Sequence, residues 1–100
     1  MGWDAEFETD EQSTVIKTTH ITPSEARAIQ TATFTEHPYF AIKSYDSDRG
    51  AVKYTIILVT KQGLFRRKEQ RVAVEIKWER RGTDRFGRPR NFYTWFVKYF

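Results

Sequence analysis

Glu75 and Lys77 lie two residues apart in a run that alternates like a β-strand, so both side chains share one face. A carboxylate and an ammonium placed this way could hold a divalent cation and orient a water for phosphodiester hydrolysis. Nucleophilic chemistry has less to work with. The two histidines are His20 and His37, and Ser13, Ser24, Ser44 and Ser47 are the serines. None of these serines sits in the strained, glycine-flanked turn that exposes a serine nucleophile. The chain has no cysteine, which removes thiol nucleophiles, disulfides and cysteine-based zinc or iron–sulfur centres. Asp46 and Asp48 ahead of Gly50 have the opening spacing of a calcium loop but lack its third ligand and closing glutamate, and they read as a turn. Five scattered glycines form no phosphate-cradling loop. The expectation is a chain with no catalytic residues, no metal ligands and no cofactor.

Three short resemblances stand beside that reading. Glu75-Ile76-Lys77 resembles the E-x-K strand of PD-(D/E)xK nucleases. The resemblance implies a small Mg-dependent nuclease in which Glu75 holds the metal, Lys77 activates water, and Asp46 or Asp48 is the earlier carboxylate. The helix that follows this strand in that family is replaced here by a polar stretch, Arg80–Arg90. Gly87-Arg88-Pro89-Arg90 resembles the core of an AT-hook, with Phe86 where that motif has its first arginine. Phe96-Val97-Lys98-Tyr99 resembles the tail of the aromatic octapeptide of RRM domains, without its leading half. Each covers a handful of residues and none assigns a family. Alternating Glu and Lys on a strand is also ordinary cross-strand charge pairing.

Charge gives the broadest signal. The chain is 100 residues with formal net charge +4. Residues 1–50 hold 4 Lys/Arg against 9 Asp/Glu, and residues 51–100 hold 13 against 4. Such asymmetry points to a polyanionic partner. The cations concentrate at Arg66, Arg67, Lys68, Arg71, Lys77, Arg80, Arg81, Arg85, Arg88, Arg90 and Lys98. Arginine outnumbers lysine 8 to 5 in this half, which suits bidentate phosphate contacts. Phe65, Phe86, Tyr93, Trp95 and Tyr99 lie among these charges and could stack on unpaired bases. The opposing reading is that long basic side chains only solubilise a β surface and guard its edges.

The elements that position these groups follow from periodicity. Trp3, Ala5 and Phe7 alternate with Asp4, Glu6 and Glu8, a half-buried strand. Asp10–Ser13 reads as a turn, and Val15–Ile21 as a second strand. Thr22-Pro23-Ser24-Glu25 is a capping box with proline at the first helical position. The helix it starts should bury Ala26, Ile29, Ala32 and Thr33 and end before His37-Pro38. Four strands follow: Tyr39–Tyr45, a run through Val52–Val59, a run through Val72–Trp78, and Asn91–Phe100. Gly50 is available for a left-handed turn position between the first two. The fold class is α+β: one domain over residues 1–100, with a mostly antiparallel curved sheet of five or six strands and one short helix.

The last strand is apolar on both faces, Phe92, Phe96 and Phe100 on one and Tyr93, Trp95, Val97 and Tyr99 on the other. Both faces then need cover, from a curled sheet, from a central position, or from another chain as in a homodimer. The longest apolar run, Ile56–Val59, is far short of the roughly 20 residues that span a bilayer. The opening residues are acidic where a secretory leader would be basic and then apolar. These features set the expectation of a soluble, cytoplasmic protein with no membrane partner. Its favoured role is a small non-enzymatic binding protein that contacts DNA or RNA phosphates through the arginine-rich half. The alternative is a protein-binding inhibitor or assembly protein of phage or mobile-element type, acting on a larger nucleic-acid machine. Its interface would be Tyr93, Trp95 and Tyr99, or the acidic Asp4, Glu6 and Glu8.

Overall fold

The computed structural model describes residues 2–10, 13–36, 49–61 and 63–100. Its elements are β1 (Ala5–Asp10), β2 (Val15–Thr19), α1 (Pro23–Glu36), β3 (Arg49–Lys61), β4 (Arg67–Thr83) and β5 (Pro89–Tyr99). They form one five-stranded antiparallel sheet in the order β2-β1-β5-β4-β3. The α+β class and the strand, strand, helix, strands order agree with the sequence pattern. The strand expected at Tyr39–Tyr45, together with Asp46 and Asp48, lies outside the described residues. Among the described residues no helix is long and apolar enough to cross a membrane.

Helix α1 begins as its capping box dictates. The Glu25 amide donates to Thr22 Oγ1 at 3.2 Å, and the Ala26 amide donates to the Thr22 carbonyl at 3.0 Å. The Glu25 carboxylate accepts from the Thr22 hydroxyl at 3.1 Å instead of reaching the backbone amide. Ala26, Ile29, Gln30 and Thr33 form the buried stripe. Gln30 takes a place expected for Ala32, which is only half-buried.

That stripe covers one face of the sheet. Strand alternation puts Phe7, Thr9, Tyr93, Trp95, Val97, Val72, Val74, Ile76 and Ile56 beneath it, each at most 2 % exposed. Trp95 is the centre of this layer. Its ring stacks on Phe7 at 5.3 Å and meets the edge of Phe34 at 5.9 Å, while its indole N–H donates to Thr9 Oγ1 at 3.1 Å. The doubly apolar last strand is thus solved from within. β5 lies third of five in the sheet, with its Tyr93, Trp95 and Val97 face in the core and its Phe92 and Phe96 face half-exposed on the opposite side.

Three local expectations change. The polar stretch Arg80–Arg90 is mostly strand: β4 runs to Thr83 across a register shift and β5 starts at Pro89, so the connection is only residues 84–88. Gly50 is not a turn residue but part of β3, where it faces Trp78 across the ladder. A Cβ built there would fall inside the Trp78 indole, so glycine lets that ring lie over the backbone of the edge strand. The second strand stops at Thr19 short of the expected Ile21, and His20 follows it with a positive φ of 66°.

Candidate nucleic-acid interface

β4 is 17 residues long and carries a hairpin at each end. At about 3.3 Å per residue those ends lie roughly 50 Å apart, and the long axis of the molecule is 48 Å. The basic residues grouped together by sequence therefore divide into three sets, not one surface.

The β4–β5 end is largely neutralised. Asp84 builds its turn, with Oδ1 accepting the amides of Phe86 and Arg88 at 2.8 and 2.9 Å. Gly87, at φ 77°, completes it by donating to the Asp84 carbonyl at 3.0 Å. Arg81 donates through Nε to Glu79 at 2.6 Å and through Nη1 to Glu8 on β1. The Glu79 hydrogen bond, with Glu8 beside it, outweighs burial and holds the guanidinium charge more firmly than usual. Arg90 reaches Asp10 Oδ2 at 3.5 Å, and Arg81 and Arg90 both lie over the Phe92 ring, at 5.0 and 5.4 Å. Arg85 and Arg88 lie over Phe86 at 4.9 and 5.7 Å. Arg80 is engaged as well. The acidic first strand and the basic later strands are close in the fold, and here Arg81 and Arg90 meet Glu8 and Asp10 of β1.

The middle of the open face holds the Glu75–Lys77 pair. Glu75 is 7 % exposed and is gripped from both sides, by Lys53 at 3.0 Å and Lys77 at 3.5 Å. The Lys53 hydrogen bond leads in holding its carboxyl below the usual range, against the cost of burial. Lys77 also lies 5.1 Å from the Phe96 centroid. Among the described residues no group of three His, Asp or Glu is placed to hold a metal ion.

The β3–β4 end differs. Residues 61–71 hold Lys61, Arg66, Arg67, Lys68 and Arg71 against the single acid Glu69. Among the described residues none of these five cations makes an ion pair. The ladder places Lys61 directly opposite Arg67. Like charges across a rung destabilise a sheet, so folding alone disfavours this arrangement. The turn beyond them, with Gly63 at φ 86°, presents Leu64 and Phe65 at 94 % and 96 % exposure. Arg71 is the inner limit of the cluster, where its carbonyl accepts from Gln70 Nε2 at 3.1 Å and from the Phe100 amide at 3.2 Å.

Two members of the expected protein interface are not surface residues. Tyr93 and Trp95 are both 0 % exposed, because β5 is internal and their side chains belong to the core face, where Phe34 of α1 meets Trp95. Tyr99 donates its hydroxyl to Glu25 Oε2 at 3.2 Å, and its amide donates to Asp4 Oδ2 at 3.0 Å. Burial, assisted by Glu25, pushes the Tyr99 phenol up to about 12. Glu8 is held by Arg81, while Asp4 and Glu6 are exposed. Lys61 was absent from the basic residues singled out by sequence. Only the β3–β4 register, anchored at the Gly63 turn, brings it to Arg67. Comparison with protein families, with curated protein sequences and with solved structures finds no match for this chain.

Proposed function

We propose that this chain is a non-enzymatic binding protein that engages the phosphate backbone of nucleic acid with the β3–β4 hairpin end. The observation that carries the reading is the set of five cations without ion pairs among the described residues, two of them facing each other across one rung. Three of the five are arginines, whose planar donor fork matches phosphate oxygens. A polyanion would relieve the repulsion between Lys61 and Arg67, and counterion release would make the affinity fall with salt. The contact set is Lys61, Arg66, Arg67, Lys68 and Arg71. Lys77, Arg81 and Arg90 contribute less because carboxylates already hold their charge. Arg85 and Arg88 lie against Phe86, close to Asp84. On this reading the protein works inside the cell, where its ligand is.

Fluorescence anisotropy with a labelled mixed-sequence oligonucleotide tests the location. Replacing Arg66, Arg67 and Lys68 together by Gln should lower affinity at least tenfold at low salt, since each lost phosphate contact removes a counterion-release contribution. Replacing Arg85 and Arg88 by Gln should change it far less. Equal losses from the two sets, or no binding at low salt, would refute the proposal.

A further inference from the structure

Phe65, Phe86, Phe92 and Phe96 stand on or beside the basic surfaces, and they are not equivalent. The rings of Phe86 and Phe92 each carry two guanidinium groups, and Phe96 carries the Lys77 ammonium. Phe65 carries none: among the described residues no ring or cation packs on it, and it is 96 % exposed. Its neighbour Leu64 is 94 % exposed. An aromatic ring with both faces in water thus lies directly ahead of Arg66-Arg67-Lys68, in the connection between β3 and β4.

We infer that the β3–β4 end selects unpaired nucleic acid over duplex, with Phe65 stacking on a base while the adjacent cations hold the flanking phosphates. This deepens the function proposed above and rests on it. The argument is one of access. Phosphates are available on single strands and duplexes alike, so the cations give no preference of this kind. Base faces are available only on an unpaired strand, because a duplex hides them in its stack and charges an unstacking cost to expose one. A free ring on a charged tip gains stacking only in the first case, and each such contact is sequence-tolerant because every base has a π-face. Charge complementarity fixes the ligand as an anion, and the ring fixes it as an anion with flat apolar faces.

The experiment compares a labelled mixed-sequence DNA oligonucleotide, single-stranded and annealed to its complement, by anisotropy at one low salt concentration. Wild type should bind the single strand tighter. Phe65→Ala should weaken single-strand binding by about tenfold, leave duplex binding unchanged and keep the salt dependence. Phe65→Trp should restore the preference, and Phe86→Ala should leave it intact. Equal affinity of wild type for both forms, or an unaltered preference in Phe65→Ala, overturns the stacking inference while the phosphate reading stands. Failure to bind either form at low salt overturns the reading beneath it. A parallel sedimentation with phosphatidylserine vesicles covers the other anionic partner: Phe65-dependent vesicle binding without oligonucleotide binding overturns both. At 96 % exposure the Phe65 ring supports no packing, so these variants keep the fold.

Discussion

Lys61 and Arg67 stand directly opposite one another on the outermost rung of the β3–β4 ladder, and neither has an acidic partner among the described residues. Further along the same face Lys53 and Lys77 pair with Glu75, Arg81 with Glu8 and Glu79, and Arg90 with Asp10. The contrast separates charge that serves the fold from charge that does not.

Arg67→Glu converts the repulsive rung into an attractive one. It should stabilise the protein by about 0.2–1 kcal/mol in urea denaturation and weaken oligonucleotide binding. A variant that loses stability, or gains stability with undiminished affinity, would separate this rung from the ligand.

The Thr9–Trp95 hydrogen bond joins β1 to β5 inside the core, with both residues 0 % exposed. Thr9→Val keeps the shape but leaves the indole N–H without its acceptor. The expected loss is about 1–3 kcal/mol, read as a lower urea midpoint at unchanged slope. Thr9→Ser keeps an acceptor and should lose much less. If Val and Ser behave alike, the hydrogen bond is not what holds these strands.

Stability should decline at alkaline pH. The Tyr99 phenol rises from 10.0 to about 12 in the folded chain, mainly through burial and then through the Glu25 carboxylate. A raised folded value means that the unfolded chain gives up its proton first. The contribution is therefore complete below pH 10 and is lost as pH climbs toward 12. Tyr54 shifts in the same direction, also by burial, and adds to the loss. Urea midpoints measured across this range should fall for the wild type and fall less for Tyr99→Phe. Parallel declines in the two proteins would contradict the assignment.

How much of this was legible beforehand depends on whether the signal was local. The capping box at Thr22–Glu25 and the alternation of Val72, Val74, Ile76 and Trp78 each carry their structure within a few residues, and both elements form there. The central place of β5 was one of three ways to cover a doubly apolar strand, and periodicity cannot choose among them because sheet order is set by non-local pairing. That missing choice decided the fate of Tyr93 and Trp95, which became core. It also decided Arg81 and Arg90, because β1 pairs with β5 and carries Glu8 and Asp10 to them. Gly50 looked like turn chemistry because a glycine opening left by a distant indole leaves no mark in the neighbouring residues. The exposure of Phe65 could not be read either, since an aromatic beside arginines looks the same whether it is capped like Phe86 or bare.

The salt dependence of oligonucleotide affinity tests the central claim most directly. With five cations at the β3–β4 end available to phosphates, the log–log slope for a single strand should approach about −3.5 between 50 and 200 mM salt. In the Arg66, Arg67 and Lys68 triple Gln variant it should shrink to about −1.4. A slope near zero in the wild type, or one that the triple variant leaves unchanged, would contradict the account.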